Sequence, residues 1–201
     1  MISRFLAIHP GEGRLVLRLG GHFFLVLAAT AVLAVAGESL FLSTYHPRNL
    51  PYAYLGAAFL GTLIAFGYEI VGQKIKAKRL STYMVIGLVL VLVTIRGLFT
   101  IGPFLLFLMT PVFNVLLGIE NGALIARALD SRSARRLLPV IGVLGAIGAA
   151  GGGLLAGFFA RVLGVEELLW FAIVFIALSW IPAVRSSEKE PRPRSIPRAS
   201  K

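Results

Sequence analysis

GAIGAAGGGLLAG, residues 145–157, holds six glycines among thirteen residues, and the rest are Ala, Leu or Ile. Three chemistries could ask for such a stretch: a phosphate loop, a flexible linker, or a helix in a solvent that tolerates glycine. A phosphate loop reads GxxxxGK[ST]. Gly148 and Gly153 have that spacing, but Leu154 and Leu155 stand where Lys and Ser/Thr belong. A linker would be polar, whereas Ile141, Val143, Leu144, Ile147, Leu154, Leu155, Phe158 and Phe159 make this segment lipid-compatible. The helix reading survives.

Composition agrees. The chain is 201 residues long, 57% hydrophobic and 14% charged, with a mean hydropathy of +0.85. Soluble domains carry about 25% charged residues. A water-soluble fold of this length could not hide so much apolar surface, so lipid is the expected solvent for most of the chain. With no cysteine, disulfide, zinc-finger and iron–sulfur chemistry fall away together. The first eighteen residues lack the uninterrupted apolar core of a removable signal peptide.

A crossing helix needs about 20 mainly apolar residues. Six stretches qualify: 22–42, 53–73, 82–102, 103–126, 138–160 and 167–184. Gly102-Pro103 marks the turn between the third and fourth, and Pro51 suits the start of the second. Residues 1–21 read as a cytoplasmic or interfacial lead-in. Residues 185–201, polar and punctuated by Pro, read as a basic disordered cytoplasmic tail.

The net charge of +11 orients the set. With the N-terminus in the cytoplasm, the cytoplasmic basic residues are Arg4, Arg14, Arg18, Lys74, Lys76, Lys78, Arg79, Arg127, Arg132, Arg135 and Arg136. Arg185, Lys189, Arg192, Arg194, Arg198 and Lys201 complete them, leaving only Arg48, Arg96 and Arg161 outside or near an outer end. That asymmetry follows the positive-inside rule for six spans with both termini inside. The basic charge is therefore a topology signal and not a nucleic-acid footprint. The expected partners are the bilayer and either a second copy or other membrane subunits. With no organelle-targeting pattern, the expected location is a cell inner (plasma) membrane.

On a helix, Gly142, Ala146, Ala149, Gly153, Ala156 and Ala160 fall on one face at alternating spacings of four and three. Lipid supplies no hydrophobic drive between helices, so small residues that let backbones approach are the natural packing face. Gly148-xxx-Gly152 and Gly153-xxx-Gly157 add to this face, which could be a fixed seam or one that slides during a transport cycle.

Ionisable and amide side chains within spans are costly and call for partners. The candidate polar lining is Glu38, Glu69, Arg96, Asn114, Glu120 and Asn121, with Thr94 and Thr110 at similar depths. Glu38 and Arg96 lie at matching depths near the outer ends of their spans, where they could pair or reach separately to headgroups. No catalytic site is expected. His9, His22 and His46 have no ligand spacing, Ser39 and Ser43 lack a GxSxG context, and no metal or cofactor is implied.

HPGEGRLVLRLGGHFFLVLAATAVLAVAGESLFLSTYHPRNLPYAYL, residues 9–55, and DSRSARRLLPVIGVLGAIGAAGGGLLAG, residues 130–157, together resemble a known family. They are similar to the N-terminal half of the nucleotide translocase-like (ATP/ADP antiporter-like) branch of the major facilitator superfamily. The shared features are a Pro-Gly-Glu segment before span one, an "alFLs" end to that span, a short loop ending Leu-Pro, and a basic loop leading into a glycine-rich fifth span. The resemblance implies an all-α fold of six spans and a role in solute transport. Family members that move nucleotides carry a cation where this chain has Gly37-Glu38, and an acid is a poor receptor for polyphosphate. The loop signature after span two is echoed only by Gly67, Glu69, Lys74, Lys76 and Lys78. Facilitators bind solute between two six-helix halves, so one half implies a homodimer or a partner half. The alternative is a non-transporting accessory or scaffold subunit docked onto a larger membrane complex.

Overall fold

In a computed structural model, which describes residues 12–72, 77–98 and 102–187, every regular element is helical. Helices α1 (Gly13–Thr44), α2 (Leu50–Gly72), α3 (Ala77–Gly97), α4 (Gly102–Ala128), α5 (Ser131–Val162) and α6 (Leu168–Ser187) follow in order. Single 3-10 turns at Pro47–Asn49 and Val165–Glu167 lead into α2 and α6. The first five helices are long and apolar enough to cross a membrane. The segment before Glu12, Lys74 and Lys76 of the basic loop, and the tail from 188 lie outside the described residues.

Two helices run well past the expected boundaries. Residues 13–21, expected as an interfacial lead-in, are the first turns of α1, and 131–137 are the first turns of α5. Each helix has 32 residues, or about 48 Å at 1.5 Å per residue, against a hydrocarbon core of about 30 Å. The overhanging ends are held together. Arg136 of α5 donates to Glu12 Oε1 at 2.5 Å, and Val16, Leu19, Leu124, Leu129, Leu137 and Ile141 form a buried cluster beneath that pair. Between α3 and α4, the Gly102 N–H donates to the Leu98 carbonyl at 2.7 Å. A Cβ there would stand 2.9 Å from the Ile95 carbonyl oxygen, which is why glycine occupies the turn. Gly164, at φ 98°, supplies the left-handed residue between α5 and α6.

Helices α1 and α4 form the centre. Helix α1 packs on α4, α5 and α6, while α4 also holds α2 and α3, and α3 lies against α6. Exchange α1 with α4, α2 with α5 and α3 with α6, and these main pairings map onto themselves. The α1–α5 pairing becomes α4–α2, and α1–α6 becomes α4–α3. The central pair is antiparallel: Leu33 and Gly37 of α1 meet Thr110 and Phe107 of α4. At the periphery, α2 buries only Ala53, Ala57 and Gly61, on one face against α4. Its Tyr52, Leu55, Phe59 and Phe66 are exposed, as a lipid-facing helix requires.

The glycine-rich stretch approaches α1 very closely, through Gly148-xxx-Gly152 and not along the whole of the expected Gly142–Ala160 face. The buried positions of α5 are Leu137, Ile141, Gly145, Gly148, Gly152 and Ala156. A Cβ on Gly148 would lie 2.3 Å from the Phe24 carbonyl oxygen, and one on Gly152 would lie 2.5 Å from that of Ala28. The paired numbers rise together along both helices, so α1 and α5 run parallel. Of the expected face, Ala156 lies in this seam and Ala160 packs partly against the core. Gly142 and Gly153 meet open space, Ala146 is exposed and Ala149 is half-buried. Both faces are lined by small residues in sequence. The Phe23 ring lies over Gly145, and the α1 backbone at Phe24 and Ala28 lies against Gly148 and Gly152, leaving no room for a Cβ at these three positions.

Candidate functional site

The six expected polar residues do not converge on one site. Glu38 is exposed near the end of α1, beside Tyr54 of α2. Arg96 does not pair with it. The guanidinium reaches the turn before α6, where Nη2 donates to Glu167 Oε1 at 2.7 Å and Nη1 to Glu166 Oε2 at 3.2 Å. These two contacts tie the end of α3 to the start of α6, and Trp180 Nε1 donating to Thr82 Oγ1 ties their other ends.

That clamp gives a direct prediction. Arg96 is 25% exposed and its carboxylates more so, so truncation to Ala is expected to cost about 1 kcal/mol, the upper end for solvent-exposed pairs. A double-mutant cycle of Arg96→Ala with Glu167→Ala, read by thermal unfolding in detergent, should give a positive coupling. Arg96→Ala with Glu38→Ala should give none.

Glu120 and Asn121 are neighbours in sequence, about 100° apart around α4, and serve different surfaces. The buried Glu120 carboxylate accepts a hydrogen bond from Ser81 Oγ on α3, with Tyr68 and Arg127 nearby. Glu69 and Arg127 line a separate groove between α2 and α4, together with Thr62 and Pro111. Thr110 and Thr94 donate to carbonyls of their own helices, Leu106 and Leu90, each at 2.8 Å. They are spent on local bonds, as Ser and Thr within membrane helices commonly are.

Asn114 and Asn121, seven residues apart on α4, are the pair that the fold brings together. With Thr30 and Leu27 of α1 and Gly118 and Gly122 of α4, they line a cavity of ≈ 340 Å³ along the α1–α4 seam. Thr30 was not among the expected lining. Its signal in the sequence was a single hydroxyl in an apolar run, and only the antiparallel register of α1 on α4 sets it opposite Asn114. Also outside the expected lining is His22, buried between α1 and α6, where Nδ1 donates to the Ser179 carbonyl at 2.8 Å. Among the described residues, no group of three or more His, Cys, Asp or Glu is arranged to hold a metal ion.

No protein-family model, curated protein or solved structure matches this chain.

Proposed function

We propose that the chain is a membrane domain of the major-facilitator type, six spans with both ends in the cytoplasm. It moves a small solute together with a second six-helix half, supplied by another copy or by a partner. The observation that carries this reading is the exchange relation among helix pairings, α1–α5 against α4–α2 and α1–α6 against α4–α3. Facilitator halves are built from two three-helix repeats of opposite orientation, and solute binds near the midplane between two such halves. Here the central helices α1 and α4 carry Asn114 and Asn121 along their seam, where a second half could face them. The nucleotide translocase-like resemblance of residues 9–55 and 130–157 points the same way, without implying a nucleotide as cargo.

A second reading, an accessory subunit docked in a larger membrane complex, draws support from the charges. Glu120 is turned to Ser81, and Arg96 to Glu166 and Glu167, leaving neither in the seam. Protein mass in nanodiscs separates the two. A homodimer, or a stable pair with another six-helix half, is expected for transport, whereas co-purification with unrelated subunits would favour docking.

Topology is tested on the same chain, which has no cysteine of its own. Asp130→Cys and Leu163→Cys, at opposite ends of α5, should react with an impermeant maleimide from opposite faces of the membrane. Labelling from one face only would remove the fifth crossing and the proposal with it.

A further inference from the structure

The α1–α4 cavity contains an amide that the protein leaves unspent. Asn121 is only 4% exposed and makes no hydrogen bond among the described residues; its amide atoms are not fully enclosed, and the surface they keep opens on the cavity. A primary amide offers two donors and an acceptor, and one largely withdrawn from water gains from a partner. Lipid tails and apolar helices cannot supply those partners. Asn114, one face-repeat away, is exposed at the same cavity and also without a partner there. Thr30 Oγ1 donates to the Leu27 carbonyl at 3.1 Å, which leaves its lone pairs to accept. Gly118 and Gly122 keep the wall open, since a Cβ on either would meet nothing within 4 Å.

No ionisable side chain lines this cavity. An ion entering it would lose hydration without gaining a counter-charge, which is prohibitive in a medium of low dielectric. A neutral solute with hydroxyl or amide groups would instead satisfy the waiting donors and acceptors. The volume lies within the range of small-molecule pockets, about 300–1,000 Å³.

We infer that the α1–α4 cavity is a water-accessible binding pocket for a small uncharged solute rich in hydroxyl or amide groups, with the Asn121 amide as its buried anchor and Asn114 at its mouth. This rests on the transport reading for its purpose, but its test does not depend on transport.

Single cysteines that leave both amides in place are introduced at Gly122→Cys, Gly118→Cys and, as a lipid-facing control, Leu154→Cys, which is 77% exposed. Each is treated in nanodiscs with the neutral, polar 2-hydroxyethyl methanethiosulfonate. The thiolate attacks the reagent's sulfenyl sulfur and expels methanesulfinate, and thiolates do not form in hydrocarbon, so pocket cysteines should react at least about tenfold faster than the control. Gly118→Cys keeps the test alive if Gly122→Cys does not fold. The labelling is then repeated with four probes: neutral sorbitol, neutral malonamide, anionic gluconate and cationic glucamine. Sorbitol or malonamide should slow labelling by about threefold or more, and the charged analogues should not.

Reaction no faster than at Leu154→Cys overturns the pocket. Protection by gluconate or glucamine equal to the neutral probes, or protection by none of the four, overturns the solute class. A wet, protected pocket in proteoliposomes that take up neither neutral probe supports the pocket and counts against transport. Uptake alongside an unreactive pocket does the reverse.

Discussion

Gly148→Ala and Gly152→Ala should each lower stability by about 1–3 kcal/mol or more, the range for forcing extra methyl groups into a packed interior. Both added carbons would stand within 2.8 Å of α1 backbone atoms, at Phe24 and Ala28. Backbone cannot rotate aside as a side chain can, so α1 and α5 would have to separate. Separation in lipid forfeits dispersion and close backbone contact, the terms that hold membrane helices together. Gly153→Ala is the matched control. Its Cβ meets open space, and alanine favours the helix by about 0.8–1.0 kcal/mol over glycine. Thermal or SDS-induced unfolding followed by circular dichroism would rank them, with Gly153→Ala at or above the parent and the other two well below. A loss at Gly153 with none at Gly152 would mean that α5 is rotated from the face described.

Gly148-xxx-Gly152 was legible as a close-packing pair, but not as the pair that outranks its neighbours. Between Gly142 and Ala160 nearly every side of the helix carries Gly or Ala, so helical spacing proposes several seams and ranks none. The ranking comes from the α1 backbone at Phe24 and Ala28, whose approach depends on the parallel register of two helices more than a hundred residues apart. The six helices themselves were legible because bilayer thickness sets their minimum length and basic loops punctuate them. Their ends were less so. Arg14, Arg18, Arg135 and Arg136 suggest boundaries at 22 and 138, but a helix can continue past the hydrocarbon when Val16, Leu19 and Leu137 find each other beyond it.

Polar residues followed the same pattern. Depth alone put Glu38 level with Arg96, but depth says nothing of azimuth, and Glu166 and Glu167 in the α6 turn hold the guanidinium instead. Asn114 and Asn121 share a helix face by their spacing of seven, a relation present in the sequence. What the sequence lacked was the identity of the facing helix, and therefore Thr30. Adjacent Glu120 and Asn121 looked like one polar spot and are two, since a single residue step turns one toward α3 and the other toward α1.

Phe41→Ala should be the most damaging single truncation near the other end of the bundle. Its ring is fully buried and lies 4.5 Å from that of Phe107, 5.1 Å from Tyr45 and 6.2 Å from Phe104, centroid to centroid. Ala53 closes the same cluster from α2, and Tyr54 meets Phe107 edge-on at 5.0 Å. One side chain thus joins α1, the start of α2 and the start of α4. In water, Phe→Ala in a core costs about 3–5 kcal/mol, part transfer and part cavity. Lipid removes much of the transfer part, because an apolar group gains little by leaving hydrocarbon for a protein interior. The cavity part remains, along with ring–ring attraction of about 0.5–1.5 kcal/mol per pair, so a loss of about 2–4 kcal/mol is expected. Phe59→Ala, at a ring 69% exposed on the outer face of α2, should change stability by about 0.5 kcal/mol or less, as surface substitutions do. Because α2 fully buries only Ala53, Ala57 and Gly61, with Leu60, Ile64 and Tyr68 packing partly on the core, loss of the Phe41 cluster should free it before the rest unfolds. Hydrogen exchange in nanodiscs would then show the α2 amides deprotected in Phe41→Ala while those of α1 and α5 stay slow. Uniform deprotection across all six helices would instead show that α2 is anchored by more than this aromatic cluster and the narrow strip on α4.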